Sequence, residues 1–379
     1  MEYISLKDVC KINMGQSPDS SSYNDNEDGI PFFQGNADFG ERYPTTKVWC
    51  NAPTKIAQPE DILISVRAPI GALNFAKEEC CIGRGLASLT PDRSNVSLEF
   101  IYWLLKGKKA ELNSKGTGST FKAISRKVLE EIMVPAIEFD KQHEYAEILE
   151  KIYNVIQKRK EELSALDDLI KARFVEMFGD PGTNPMGWKE TTIGEECFYI
   201  KDGPHKSLPD IGRENGGHPF ISVRNIVDGY IDFSTAKYIS DEDYADAIKK
   251  CHPEKGDMLY SKGGTTGIAK LIDVDVEFAN WVHVAVLKFD KKKLNGVFFE
   301  NMLNGVYCYE QSQRLTKGIA NRDLVLSAMA QIKMYRPPME LQQQFAAFVA
   351  QVTKSKVAVQ KALDEAQLLF DSLMQQYFG

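Results

Sequence analysis

The feature that most constrains the fold of this chain is that much of its sequence occurs twice. Shared landmarks recur in the same order at a period of roughly 200 residues, which indicates an internal duplication. They are Pro-Phe segments, strand-like runs that lead into glycine, late polar loops and Pro-Glu helix openings. The matched stretches are 30–36 with 218–225, 58–67 with 253–262, 116–125 with 315–324, and 134–139 with 336–341.

The boundaries of the two copies follow from composition. Each copy turns at proline into a long helical pattern, and the stretch 179–188 is too rich in proline and glycine to continue a helix. We therefore predict four segments with a linker at 179–188. They are a globular domain at 1–134, a helix within 135–180, a second globular domain at 181–335 and a second helix within 336–379.

Both helical segments carry apolar residues at near-heptad spacing, without internal proline or glycine. Each could run for nearly 40 residues, roughly 55–60 Å. An apolar stripe of that length needs a partner, and we expect the other helix of the same chain, lying antiparallel and holding the globular domains apart. The alternative is that each helix packs only on its own domain. The predicted helix-pair interface consists of Leu149, Ile152, Ile156, Leu163, Leu166, Ile170, Phe174, Phe348, Val352, Val359, Leu363, Phe370 and Leu373.

The globular segments contain short apolar or alternating runs that are typical of strands, with a few shorter helical stretches between them. The predicted fold class is α+β, with two duplicated mixed α/β domains separated by two long antiparallel coiled-coil helices. The pattern does not determine the topology of either domain.

No catalytic constellation is evident. The glycine-rich run 261–267 places its lysine before the glycines, whereas a phosphate-binding loop needs it after them. The stretch 184–187 lacks the second proline and the aromatic residue of a methyltransferase motif. The acidic residues at 60–61 and 254–257 precede strands, where acidic turn residues are common. No histidine pairs with another ligand at metal-binding spacing, so we predict no catalytic, metal or cofactor site.

Polar and basic residues occupy matched places in both copies, at the ends of strands and in the late loops. Such side chains read base edges or hold phosphates, whereas each taken singly could be an ordinary turn residue. The candidate DNA-contacting residues are Gln34, Asn36, Arg67, Lys115, Thr117, Ser119, Thr120, Lys122 and Arg126 in the first copy. In the second copy they are Arg224, Asn225, Lys262, Gly263, Thr265, Thr266, Lys317, Asn321 and Arg322.

The cysteines and the N-terminus bear on location. The seven cysteines are scattered and lack any Cys-x-x-Cys motif, which is typical of reduced thiols. The N-terminus lacks the pattern of a signal peptide, and no apolar run is long enough to span a membrane. We expect a cytoplasmic protein without a membrane partner.

Taken in order, these motifs resemble the specificity subunit of type I restriction-modification systems over essentially the whole length. The resemblance is carried by 219–225, by Gly-Asp-Met-Leu-Tyr-Ser-Lys-Gly-Gly at 256–264, and by the Pro-x-x-Glu-Gln helix openings. The junction 177–188 also looks like the family's passage from the central helix to the second domain. The first copy departs from the pattern at 32–36 and 67–69, so its contacts are less defined.

The resemblance implies two target-recognition domains, each reading one half of a bipartite target in double-stranded DNA. It implies helices that set the gap and dock two modification subunits, which would hold S-adenosylmethionine and methylate adenine. A restriction subunit, where present, would cleave DNA. The chain itself would be a non-catalytic DNA-recognition subunit. The alternatives are a coiled-coil scaffold that never touches DNA, or a stand-alone methyltransferase or nuclease without recognisable motifs.

The net charge of −7 at first argues against a DNA-binding protein. The excess is concentrated in 135–180, however, which carries a net charge of −4, whereas 1–134 carries −1 and 181–335 carries −2. Nearly neutral domains cannot supply the many phosphate contacts on which strong binding depends. We therefore expect DNA binding to need partner subunits.

Overall fold

The computed structural model describes residues 2–118, 122–227, 229–318 and 321–379, and the chain divides into two compact units. Unit 1 comprises Met1–Lys160 and Lys361–Gly379, and unit 2 comprises Glu161–Gln360. Each unit therefore contains one globular copy together with a part of both long helices.

Unit 1 is built from short strands and few helices. Its strands are β1 (Tyr3–Ser5), β2 (Cys10–Met14), β3 (Tyr23–Asn24), β4 (Ile30–Phe33), β5 (Trp49–Cys50), β6 (Ile56–Ala57), β7 (Ile62–Ser65), β8 (Leu73–Phe75), β9 (Cys80–Ile82), β10 (Leu86–Pro91) and β11 (Met133–Pro135). Its helices are α1 (Leu6–Val9), α2 (Leu98–Gly107), α3 (Lys109–Ser114), α4 (Arg126–Glu130) and the first part of α5 (Phe139–Phe178). The strands form an antiparallel sheet β2-β10-β7-β8, a mixed sheet β3-β5-β4-β9-β6 and the pair β1-β11.

Unit 2 repeats this plan. Its strands are β12 (Lys189–Thr192), β13 (Cys197–Asp202), β14 (His218–Ile221), β15 (Lys237–Ile239), β16 (Met258–Ser261), β17 (Ala269–Leu271), β18 (Ala279–Asn280), β19 (Val284–Phe289) and β20 (Lys333–Arg336). Its helices are α6 (Ile193–Glu196), α7 (Asp241–Lys250), α8 (Gly296–Asn304), α9 (Val306–Leu315), α10 (Leu326–Met329) and the first part of α11 (Met339–Phe378). The sheets are β13-β19-β16-β17, β15-β14-β18 and β12-β20.

The inner strand next to the edge strand β8 or β17, which we call the central strand, is buried along its whole length, because both of its faces are covered. Every residue of β7 and of β16 is buried. The aromatic residues of α2 and α8 pack over the sheets, with Trp103, Phe100, Phe298 and Phe299 fully enclosed. The α+β class with duplicated mixed domains is confirmed.

Within each unit the two long helices run antiparallel. In unit 1, Tyr145 of α5 stacks on Tyr377 of α11 at 3.8 Å between ring centroids. In unit 2, Asp167 of α5 accepts from Lys356 of α11 at 2.5 Å, and Phe174 lies edge-on to Phe345. Rising numbers in one helix thus meet falling numbers in the other. Every residue predicted for the helix-pair interface is buried or half-buried.

A buried glutamine near the start of each long helix explains the repeated Pro-x-x-Glu-Gln opening. The Gln342 Oε1 accepts from the backbone N–H of Asn295 at 2.8 Å, and its Nε2 donates to the carbonyls of Pro337 at 2.8 Å and Lys293 at 3.3 Å. Gln142 makes the same three bonds in unit 1, to Ser97, Ile137 and Asn95. The motif therefore ties the first turn of the helix to the turn before α2 or α8.

Replacing Gln342 with leucine is expected to lower the free energy of unfolding by about 2–3 kcal/mol, because it leaves three buried backbone groups without partners. Urea denaturation of the purified chain measures the change. The matched control is Gln343→Leu, since Gln343 is the exposed neighbour on the same helix. Equal stability of the two variants would contradict the structural role of Gln342.

Candidate nucleic-acid interface

In unit 1, two loops meet at the end of β7 and bring several candidate residues together. The backbone N–H of Ile124 donates to the carbonyl of Val66 at 2.9 Å, and that of Ala68 donates to Lys122 at 3.1 Å. Thr117 and Ala123 exchange a pair of backbone bonds, both at 2.9 Å. These bonds hold the chain at Arg67, Thr117 and Lys122 along one edge of the domain.

The same pairing occurs in unit 2, at the end of β16. The backbone N–H of Leu324 donates to the carbonyl of Lys262 at 2.7 Å, and that of Gly264 donates to Arg322 at 3.1 Å. Lys317 and Asp323 exchange two bonds of 2.9 Å. The late polar loops of both copies therefore have one architecture, with lysine or arginine at its rim in each.

The paired loops fix which residues are equivalent, and they shift the sequence match by one position. The side-chain oxygens of Ser65 and Ser261 each accept a backbone N–H, at 2.9 Å and 2.8 Å, from the residue just before the next strand. Lys262 is therefore the equivalent of Val66, and Arg67 is the equivalent of Gly263. Matching 58–67 to 253–262 aligned the two basic residues, whereas the sheet register aligns the two serines.

Lys262 lies inside the domain, with a side chain that is only 6% exposed. Its Nζ donates to Asp323 Oδ1 at 2.9 Å and lies 3.5 Å from Asp202 Oδ2. Asp202 also accepts from Lys250 at 2.8 Å. Since the equivalent Val66 is a buried apolar residue, this position belongs to the core in both units, and the ammonium group of Lys262 is directed to carboxylates inside the domain.

Two further candidate residues are also buried, and their side chains make hydrogen bonds within the domain. The Asn225 Oδ1 accepts from the backbone N–H and the hydroxyl of Ser222, and its Nδ2 donates to the carbonyl of Asp232 at 3.0 Å. Hydrogen bonds from Ser234 and Thr235 hold the pKa of Asp232 below its usual range. Thr266 is buried and shares a hydrogen bond of 2.9 Å with Thr316. Asn225 and Thr266 therefore hold the loops in which they lie, and their contact with DNA stays a prediction.

The other candidates differ in how free their side chains are. Lys115 pairs with Glu111 at 2.6 Å and Arg126 pairs with Glu130 at 2.7 Å, each on its own helix. Among the described residues, Arg67, Lys122 and Lys317 are exposed and have no side-chain partner. Of the remaining described candidates, Gln34 and Asn36 follow β4 and Arg224 follows β14, whereas the others lie in or next to the paired loops: Thr117, Gly263, Thr265, Asn321 and Arg322. Ser119 and Thr120 lie outside the described residues.

A cavity of about 540 Å³ opens among these loops in unit 2. Arg224 and Arg322 border it, and each guanidinium is oriented by a neighbour, the Thr235 carbonyl and the Gln313 side chain respectively. Its wall also contains Trp281 and His283, which sequence reasoning missed. In the sequence, the only sign of their role is that they lie next to β19, because the equivalent residues of the first copy are not aromatic.

Two negative findings apply to the described ranges. They contain no group of three or more His, Cys, Asp or Glu residues that could hold a metal ion. Over the same ranges, no helix is both long and apolar enough to cross a bilayer.

Comparison with known proteins places this geometry in a family. The model of the type I restriction modification DNA specificity domain matches residues 1–165 and 185–366. The MjaIX specificity subunit of a type I restriction enzyme from Methanocaldococcus jannaschii is 24% identical over 357 residues, covering 88% of this chain and 80% of the relative. A protein of the same organism that is provisionally named the type I restriction enzyme MjaX specificity subunit is 45% identical over 152 residues. That match covers 40% of this chain and only 36% of the relative, about a third of its length.

One solved structure shares the fold along the whole chain. It is the crystal structure of a type I restriction-modification system S subunit from M. genitalium, with a TM-score of 0.60 at 15% identity. The alignment covers 100% of this chain and 96% of that one.

Proposed function

This chain belongs to the type I restriction modification DNA specificity domain family, and from that premise we propose that it is the DNA-recognition subunit of a type I restriction-modification enzyme. Each recognition domain, 1–134 and 181–335, would read one half of a bipartite target. The observation that carries the proposal is the repeated loop architecture. The end of the central strand and the late loop meet in both units, and exposed Arg67, Lys122 and Lys317 lie on that edge.

The helical segments 135–180 and 336–379 would set the gap between the half-sites and dock two modification subunits. Each is a continuous helix that begins in one compact unit and ends in the other. Their outward faces carry large apolar side chains that suit a protein partner, including Val357 at 65% and Leu368 at 73% exposure. The same partners would add the phosphate contacts that two nearly neutral domains lack.

In this proposal the chain recognises DNA without catalysing a reaction. Its polar side chains at the loop edge can donate to phosphates and base edges, which is the chemistry of binding. Methyl transfer from S-adenosylmethionine would belong to the modification subunits. Cleavage would belong to restriction subunits where these are present.

Long-read methylome sequencing tests the proposal. The chain is co-expressed, in a host without its own adenine methylation, with an adenine methyltransferase subunit encoded beside it. We expect methylated adenine in a bipartite motif with a fixed gap, and no methylation when either protein is expressed alone. Methylation by the chain alone would favour a stand-alone enzyme, and the absence of any motif or DNA footprint would favour a scaffold.

A further inference from the structure

The turn that enters β10 in unit 1 and β19 in unit 2 keeps one backbone but exchanges its side chains. We call it the variable turn: Gly83-Arg84-Gly85 in unit 1 and Trp281-Val282-His283 in unit 2. Gly83 and Trp281 both donate to the last residue of the neighbouring strand, Phe33 or Ile221, at 2.8 Å. The carbonyls of Gly85 and His283 both accept from the chain after the central strand, at 2.9 Å and 2.8 Å.

The space around the variable turn of unit 1 is filled from elsewhere. A Cβ at Gly83 would lie 2.6 Å from the Gln34 Oε1, and a Cβ at Gly85 would lie 2.5 Å from the Gln34 carbonyl oxygen. Gln34 is itself held by Ser17, with a bond of 2.9 Å from its Nε2. Glycine is therefore required at both positions, and the exposed side chains nearby are those of Arg84, Arg67 and Gln34.

In unit 2 the variable turn carries the large side chains, and glycine lies on the neighbouring segment instead. A Cβ at Gly263 would lie 2.0 Å from the His283 Nδ1, so the imidazole lies against the backbone at the position where unit 1 carries Arg67. Ser222 takes the place of Gln34 next to Trp281. Thus each unit has large polar groups at this end of its sheet, but the segments that supply them differ between the units. A change of side chains on a constant backbone is the arrangement expected of a specificity determinant.

In the part of the chain that the structure describes, one ring nitrogen of Trp281 and one of His283 lack hydrogen-bond partners. The Trp281 Nε1 and the His283 Nδ1 are both shielded from solvent and make no hydrogen bond among the described residues. The rings meet edge to face, 4.7 Å apart, in the wall of the cavity that Arg224 and Arg322 border. Buried polar atoms without partners destabilise a domain, and they are expected where a ligand supplies the missing bonds.

We propose that Trp281 and His283 are specificity-determining residues of the second recognition domain and contact base edges of its half-site. Arg84 takes this role in the first domain. The inference rests on the proposed function, of which it names the base-reading residues. Indole and guanidinium groups only donate hydrogen bonds. The indole of Trp281 and the guanidinium groups of Arg224 and Arg322 therefore suit a base edge rich in acceptors, which in the major groove is that of guanine.

The test is made on the assembled methyltransferase with Trp281→Phe and with His283→Leu, whose thermal unfolding is checked against the wild type. We expect methylation of the native target to fall at least fivefold and a guanine position in one half-site to become degenerate, because a good base contact discriminates by about 1–3 kcal/mol. Arg84→Ala should relax the other half-site only. The control is Lys292→Ala, an exposed charge at the far end of β19, which should change neither.

The outcomes separate the two proposals. If the wild-type complex methylates a bipartite target and folded Trp281→Phe and His283→Leu variants keep both its sequence and its rate, the variable turn does not determine specificity, while the proposed function stands. If the relaxed position in the wild-type target is not a guanine, the assignment of donors to acceptors is overturned. If the wild-type complex recognises no bipartite target, both proposals fail.

Discussion

Removing seven residues from the middle of each long helix is expected to abolish methylation of the native target and to shorten the tolerated gap by about three base pairs. The deletion of 157–163 and 360–366 shortens each helix by about 10 Å, at 1.5 Å per residue. Duplex DNA advances about 3.4 Å per base pair, so the two lengths correspond. A gap of the wrong length leaves one recognition domain facing the wrong bases. Because each mismatched base pair costs about 1–3 kcal/mol, methylation of the native target should fall at least about 100-fold.

The deletion is designed to leave helix pairing intact. Seven residues are one heptad, so the apolar stripe of each helix stays in phase. Removing them from both helices preserves the antiparallel register that Tyr145 with Tyr377 and Asp167 with Lys356 define within their own units. Methylome sequencing after co-expression with the modification subunit gives the new motif.

The matched control replaces 157–163 and 360–366 with other helix-forming residues, keeping Leu163 and Leu363. It has the native length and should therefore recognise the native gap. If the deletion variant folds and still methylates targets with the native gap, the helices do not set the spacing.

Replacing Lys262 with methionine is expected to lower the stability of unit 2 by about 1.5–3 kcal/mol, because it removes the buried cation that holds Asp323 and leaves Asp202 with Lys250 alone. The loop that Lys262 holds through Asp323 carries Asn321 and Arg322, so DNA affinity should fall at least about tenfold as well. Denaturation and gel-shift titration of the assembled methyltransferase measure the two effects. The double variant Lys262→Met with Asp323→Asn should recover part of the stability, since it removes both charges.

Arg67→Ala is the comparison that distinguishes a residue that contacts DNA from a residue that only holds a loop in position. Arg67 is exposed and unpaired among the described residues, so its loss should leave stability nearly unchanged. If it meets a phosphate, the dependence of log K on log salt should become shallower by about 1. For Lys262→Met that slope should stay the same. A shallower slope for Lys262→Met with unchanged stability would mean that its side chain reaches DNA after all.

The extent to which the site could be predicted differs between the two copies. The loops that carry Thr117, Lys122, Lys317 and Arg322 were evident because their residue types recur at matched positions. The buried position of Lys262 was not evident from the sequence. A lysine at the end of a strand has the same local sequence whether its side chain points to solvent or to a buried aspartate. Asp202 and Asp323 are 60 residues or more away along the chain, and only the folded domain brings their carboxylates to Lys262.

Trp281 and His283 are site residues that the sequence did not reveal. They have no counterpart in the first copy, so a comparison of the copies passes over them. Their significance depends on two ring nitrogens that find no partner within the described ranges, and on the space that Gly263 leaves. Both are properties of the packed interior.

The sequence by itself determined that the chain is duplicated, that each half ends in a long heptad-patterned helix, and that the halves belong to one α+β class. These follow from periodicity and from the order of motifs, which are local or repeated and therefore legible along the chain. The tertiary structure decided which of the polar residues face outward and which hold the loops. That division depends on hydrogen bonds and ion pairs between distant segments, and the serine-to-serine register that fixes it arises only when the strands pair.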